Sequence, residues 1–294
     1  MSSIFGKFRN NLLWLIRRVG RLKNTNFLKP AYYISKKLGL VKLFNKHYSG
    51  LKEITFNINI LGAKLRMIDR TPNLIYFKFY KRVKAYEPAL TKSLHDLLKT
   101  QDNPTFVDIG AHLGYFSILT ASWIKDGNPV YSFEPNPDFF KTLSENIAMN
   151  NLQDKIRPYQ LALSNKKGKA KMGGFDARVM NEDEAGDINT ITFDQFCENE
   201  GIEPEIIKID VHGAEGKILD GMPKVLKTVS HVFCETHHKI HGFTVEDIVQ
   251  KLKDAGLNVF LFTEHRKIEG GNIVPIENAD LSNHDDLMLY GRRD

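Results

Sequence analysis

Cysteine is scarce in this chain of 294 residues. Cys197 and Cys234 both sit in apolar-rich sequence, which excludes a disulfide framework and points to a reduced, cytoplasmic setting. Long apolar runs are missing as well, so no segment reads as a bilayer span. The run Leu12-Leu-Trp-Leu-Ile16 is too short for a signal h-region, and no small-residue cleavage site comes after it. Acidic residues are absent from residues 1–50, which carry eleven lysines and arginines. The formal charge of +6 therefore belongs to an N-terminal appendage rather than to the whole chain. With 42% hydrophobic residues, the chain can bury a full core.

Residues 4–24 have a helical pattern, with Ile4, Phe8, Leu12, Leu15, Ile16 and Val19 on one stripe and arginines opposite. Such a helix fits an anionic membrane surface, and fits equally the face of its own domain or of a second subunit. The spacing predicts three parts: a basic helical segment over 1–50, an accessory hairpin and helix over 51–100, and a main domain over 101–294. The hairpin pairs Glu53–Ile60 with Lys64–Asp69 around Leu61-Gly62. After Tyr86-Glu-Pro88 a helix runs through Leu98.

From Thr105 on, strands and helices alternate, which argues for a parallel sheet covered on both faces. The expected strands are 105–109, 129–133, 156–161, 206–210, 231–235 and 258–263. Helices fill 115–124, 137–150, 192–200, 215–219 and 245–255. A last strand over 286–290, with no helix before it, implies an antiparallel edge. Residues 164–190 are polar and contain glycine, and read as a mobile loop with at most a short hairpin.

In an open α/β sheet, ligands bind beyond the carboxyl ends of the strands. The chemistry-bearing residues collect there. Asp108 and a glycine turn from Gly110 to Gly114 end the first strand, ahead of a helix whose free N–H groups face the ligand. A carboxylate at that position repels phosphate and favours a cationic ligand. Glu134 ends the second strand, where a carboxylate accepts both hydroxyls of a ribose. Ala162 follows the third strand, Asp210 ends the fourth and Glu235 the fifth. Turn and Glu134 together point to a nucleoside-type ligand.

Four blocks now resemble a known family: Asp108-Ile-Gly-Ala-His-Leu-Gly114, Phe133-Glu-Pro-Asn-Pro137, Leu161-Ala-Leu-Ser164 and Ile207-Lys-Ile-Asp-Val-His-Gly-Ala-Glu215. In this order and spacing, over residues 72–265, they look like the FkbM-type S-adenosylmethionine-dependent methyltransferases. The resemblance implies a class I Rossmann-like methyltransferase fold: α/β, with a mostly parallel seven-stranded sheet and an antiparallel last strand. It implies O-methylation of a sugar or natural-product hydroxyl. Gly110, Ala111, His112 and Gly114 would hold the methionine part of the cofactor, with Asp108 near its ammonium. Glu134 would take the ribose hydroxyls, Asn136 would flank the ribose and Ala162 the adenine edge. Asp210 would stand where donor and acceptor meet. Two positions depart from the family motif: His112 replaces its usual Asn, and His212 its usual Glu.

A neutral histidine accepts a proton near pH 7, so His212 is a candidate base for the acceptor hydroxyl. Alternatively Asp210, His212, Glu235 and His237 share a divalent cation that lowers the pKa of a bound hydroxyl. Cys234-Glu-Thr-His-His238 serves either version, because Glu235 and His237 project to one side of an extended segment. His212 read simply as a backbone-bonded loop residue, and Tyr86 and Glu87 as a mere helix start, are the plainer alternatives. The basic segment suggests a small-molecule or glycan substrate, lipid-linked or at a surface, met at the inner membrane face. A nucleic-acid methyltransferase is the competing reading. No Asn-Pro-Pro-Tyr block and no RNA-binding module support it. A non-catalytic nucleoside-binding protein and a nicotinamide oxidoreductase are weaker still, the latter because of Asp108 and the open glycine spacing.

Overall fold

The computed structural model describes residues 52–294 apart from 72–73, 126–127, 174–177, 183–185, 238–242, 264–271, 280 and 282–285. The expected basic helix over 4–24, along with His238 and His241, lies outside the described residues.

The chain enters through an antiparallel hairpin, β1 (Ile54–Ile60) and β2 (Ala63–Asp69). It turns at Leu61 and Gly62, both at positive φ, 47° and 85°, as a tight two-residue hairpin loop requires. Helix α1 (Ile75–Val83) comes next and is not expected from the sequence, whereas α2 (Pro88–Thr100) is. Then come β3 (Phe106–Ile109), α3 (Tyr115–Trp123), β4 (Val130–Phe133), α4 (Pro137–Met149) and β5 (Ile156–Tyr159), each within two residues of its expected bounds. A second group is β6 (Ala162–Leu163), β7 (Gly168–Gly173), β8 (Arg178–Glu182) and β9 (Ile188–Ile191). The chain closes with α5 (Phe193–Glu200), β10 (Ile206–Ile209), α6 (Glu215–Asp220), β11 (His231–His237), α7 (Val245–Asp254), β12 (Asn258–Phe262), β13 (Ile273–Pro275) and β14 (Asp286–Arg292).

The main sheet has the order β13-β12-β14-β11-β10-β3-β4-β5. Strands β5, β4, β3, β10 and β11 run parallel, and β14 runs antiparallel to both its neighbours. This is the Rossmann-like α/β arrangement that the resemblance implies, with eight strands among the described residues where seven were expected, the short β13 being the addition. The last strand is not at the edge. It is inserted between β11 and β12, and Leu287, Met288, Leu289 and Tyr290 are all buried, as a strand covered on both faces must be. Residues 164–190 also differ from the expected loop. A β7–β8 hairpin joins β9 and β6 in a four-stranded sheet, because β9 pairs with strands on either side of it.

The two faces of the main sheet bury two separate clusters. One contains Leu94 of α2, Ile118 of α3 and Leu143 of α4, together with Phe56 and Met67 of the hairpin. The other contains Phe196 of α5, Leu219 of α6 and Leu252 of α7. The hairpin therefore shares the main core. Asn146 of α4 ties it down: its Oδ1 accepts from the Ile68 amide at 2.7 Å, and its Nδ2 donates to Ile68 O at 3.1 Å and to Leu113 O at 2.8 Å. One buried side chain thus fixes the hairpin and the glycine turn to the same helix.

Candidate active site

Parallel register brings the ends of β3, β4, β10 and β11 to one rim, and β3 lies at the switch point between β4 and β10. The Gly110 and Ala111 amides donate to Phe133 O at 3.0 and 2.9 Å, and the Asp210 amide donates to Ile109 O at 3.0 Å. The turn is therefore pinned to the exits of both neighbouring strands. Gly110 lies at φ 81°, and a Cβ built there would stand 1.9 Å from Asp210 O. Gly114, at φ 86°, caps α3 without a side-chain hydrogen bond, leaving the first-turn amides of that helix to the rim.

His112 lies between the glycines at φ 52°. Left-handed backbone is costly for most side chains and tolerated by Asn and His, which accounts for the histidine standing where the family motif has Asn. Its Nδ1 is hydrogen-bonded to the Tyr76 hydroxyl at 2.9 Å, and its ring meets Phe139 edge-on at 4.1 Å. Burial pushes it down to about 4, more than the attraction of Asp210 restores, so it is neutral at pH 7. Tyr76 escapes sequence reasoning because α1, which carries it, does.

Asp108 is buried, and the cation it faces is the chain's own. Lys208 Nζ lies 3.6 Å from Asp108 Oδ1 and 3.4 Å from Asp210 Oδ2. Ser117 Oγ donates to Asp108 Oδ2 at 2.7 Å, and Ser132 Oγ donates to Ser117 Oγ at 2.9 Å. Burial opposes the Lys208 charge, but Asp210 and Asp108, with Glu87 and Glu235 behind them, hold it well above the ordinary lysine range. Burial likewise opposes the Asp210 charge, yet Lys208, His212 and His237 hold its carboxyl well below the usual range. The lone charge in Ile206-Ile-Lys-Ile209 was the available signal for this pair.

Glu134 accepts from the His112 amide through Oε2 and from the Asn136 amide through Oε1, both at 2.8 Å. Its remaining lone pairs leave capacity for a diol. Burial pushes its carboxyl up to about 7, although the two amides pull the other way. A carboxyl raised in the folded state contributes stability that is present below the ordinary value and lost as pH rises through about 7, to the extent of about 3 kcal/mol. In Glu134→Ala the urea midpoint should therefore change less between pH 5 and pH 8 than in the wild-type chain. Asn136 does not direct its side-chain oxygen at a ligand: Oδ1 caps α4, accepting from the Asp138 and Phe139 amides at 2.9 and 3.0 Å. Ala162 is buried on β6, paired with Thr190.

On the other side of the turn, His212 is exposed and also left-handed, at φ 53°. Its Nδ1 shares a hydrogen bond of 2.9 Å with His237 Nε2, and His237 Nδ1 donates to Glu215 Oε1 at 2.7 Å. Glu215 also accepts from the Gly213 amide at 2.9 Å. Burial works against a charged His237, but Glu215, Asp210 and Glu235 carry it up to about 9. In the sequence Glu215 is marked only as the start of a helix. Donor atoms of Asp210, His212 and His237 all lie within 4.8 Å of one another. Glu235 does not join them: it stands two residues earlier on β11, about 7 Å deeper along the strand, and is buried.

A model of the "Methyltransferase FkbM domain" family matches residues 108–259, just over half of the chain. The chain belongs to this family. The matched span runs from Asp108 through the turn, Glu134, Asp210 and His237 to β12. Among curated relatives, the hexuronic acid methyltransferase AglP of Haloferax volcanii is 26% identical over 168 residues, 55% of this chain and 66% of that protein. Methyltransferase sdnD of Sordaria araneosa is 31% identical over 83 residues, 28% of this chain and 32% of that protein. The match thus spans just under two thirds of one relative and about a third of the other. A solved SAM-dependent methyltransferase from Agrobacterium tumefaciens is 12% identical, with a TM-score of 0.45 over 82% of this chain and 70% of that one.

Proposed function

We propose that this chain is an S-adenosylmethionine-dependent O-methyltransferase acting on a hydroxyl of a carbohydrate-like or natural-product substrate. The observation that carries the reading is the contact of Gly110 with the Asp210 backbone. In this reading a nucleoside-type cradle and a proton-accepting cluster lie on either side of one turn. The residues fit the cofactor: the turn has no room for a side chain at Gly110, the α3 amides are uncapped, and Glu134 keeps acceptor capacity for the ribose. Gly110 through Gly114 would hold the methionine part and Glu134 the ribose.

When bound, the cofactor supplies a methyl group already attached to a good leaving group. The chain must align the acceptor oxygen and take its proton. That task falls to Asp210, His212 and His237, directly or through a divalent cation held among them, with Glu215 orienting His237. The relative AglP, a hexuronic acid methyltransferase by name, supports a sugar acceptor. Among the described residues no helix is long and apolar enough to cross a membrane. In the same reading, contact with an inner membrane face falls to the basic residues 1–50 of a cytoplasmic protein, on the strength of their charge. Deleting those residues should shift the chain from the membrane fraction to the supernatant; unchanged partitioning would remove that part.

Methylation of uronic acids and neutral glycosides tests the chemistry. Asp210→Asn and His212→Ala should bind the cofactor within a few-fold of wild type and lose at least about 100-fold in turnover. Glu134→Ala should lose cofactor affinity while remaining folded. Full methylation by both acceptor-side variants would move the base elsewhere, and unaltered affinity in Glu134→Ala would refute the ribose assignment.

A further inference from the structure

We propose that Asp210, His212 and His237 bind one divalent transition-metal ion of borderline softness, Zn²⁺ being the type case, in preference to Mg²⁺ or Ca²⁺. Its part in activating the acceptor rests on the methyltransferase reading; the binding itself does not.

The donors come from three places that only the folded chain brings together. Asp210 leaves β10, His212 follows on a left-handed residue, and His237 ends β11. Their donor atoms lie within 4.8 Å of one another. Two ligands on a tetrahedral zinc at about 2.1 Å each stand about 3.4 Å apart, so closing the set takes at most about 1.4 Å. His212, exposed at the rim, supplies part of that movement by rotation.

The surroundings are those of a ligand set. Glu215, itself buried, accepts the Nδ1 proton of His237 at 2.7 Å, which turns Nε2 toward the cluster, where a bound metal ion would displace its proton. A carboxylate behind a ligating imidazole orients the ring and raises its basicity. Nε2 then meets His212 Nδ1 at 2.9 Å, so two imidazole nitrogens converge on the same spot. Among the described residues, Asp210 Oδ1 is buried without a hydrogen-bond partner.

The donor chemistry selects the class of ion. Mg²⁺ and Ca²⁺ take oxygen ligands, and Mg²⁺ keeps most of its waters. Two imidazoles and one carboxylate suit Zn²⁺ and its first-row neighbours.

The test uses the full chain, stripped with a chelator and titrated calorimetrically with ZnCl₂ and, separately, MgCl₂, without cofactor. One Zn²⁺ per chain should bind, and Mg²⁺ should give no heat of binding at millimolar concentration. His212→Ala and His237→Ala should each weaken Zn²⁺ at least 100-fold, and Glu215→Gln by about 10–100-fold. Circular dichroism checks the fold of each variant, and should His237→Ala unfold, the exposed His212 decides. Absence of Zn²⁺ binding, or binding that survives His212→Ala unchanged, overturns the site. Mg²⁺ binding as tight as Zn²⁺ overturns the class of ion. S-adenosylmethionine titrated onto the same stripped protein reads the other half separately. Cofactor binding without Zn²⁺ binding sinks the metal and leaves the methyltransferase reading standing, and the reverse result does the opposite.

Discussion

Replacing Lys208 with methionine should cost about 3–5 kcal/mol of stability at pH 7, as removing one partner of a buried ion pair does. Methionine nearly matches the lysine stem in volume, so little of that loss would come from a cavity. The cost arises because Asp108 and Asp210 are left charged beside an apolar residue, at 3.6 and 3.4 Å from the departed ammonium. Lys208 also lies 5.1 Å from the centroid of the Phe116 ring, a cation–π contact that methionine cannot replace. The deficit should shrink in acid. Asp210 is held below its ordinary value by Lys208, so its contribution is present above that value and lost as pH falls through the folded one. Combining Lys208→Met with Asp108→Asn removes one stranded charge and should recover a large part of the loss. Urea unfolding of the single and double variants at pH 7 and pH 3 measures all of this. A single-variant loss below about 1 kcal/mol, the size expected of a solvated pair, would show that water reaches these carboxylates.

Gly110→Ala should remove cofactor binding, by at least 100-fold, and about 3–5 kcal/mol of stability with it. The left-handed backbone at φ 81° by itself costs an alanine about 1–2 kcal/mol. The remainder is steric: the new methyl would stand 1.9 Å from Asp210 O and 2.8 Å from Asp210 C, both backbone atoms with no rotamer to escape into. Either the turn or the exit of β10 must move, and each carries half of the site. Gly201→Ala is the control. It has φ 65° and nothing within 4 Å, so it should show the backbone cost alone and leave binding intact. Equal effects of the two substitutions would show that the close approach to Asp210 is immaterial.

Much of the fold was legible because its signals are local. The strand–turn–helix from Thr105 to Ile124 marks its own element boundaries. Helix α1 escaped because Ile75-Tyr-Phe-Lys-Phe-Tyr80 is rich in aromatics that fit a strand equally well. The place of β14 escaped because an unlinked last strand can add at an edge or insert, and only its four consecutive buried residues favour insertion. Asp108 is recognisable as a site carboxylate, but its partner is not, since Lys208 lies 100 positions away and meets it through the register of β10 on β3. The oxygen of Asn136, expected at the ribose, is spent on α4, a local cap that takes effect wherever the ligand sits.

By itself the sequence determined the alternation of strand and helix, the glycine turn, and the row of acids at strand ends, because periodicity, left-handed backbone and chain direction are properties of neighbouring residues. Only the tertiary structure decided which strands adjoin, which charge answers Asp108, and that His212, His237 and Glu215 form one hydrogen-bonded line. The reason is register. Residues at the ends of β10 and β11 meet because parallel pairing sets Ile206 against His231 and Ile209 against Cys234, a match made by hydrogen bonds between segments that carry no mark of each other.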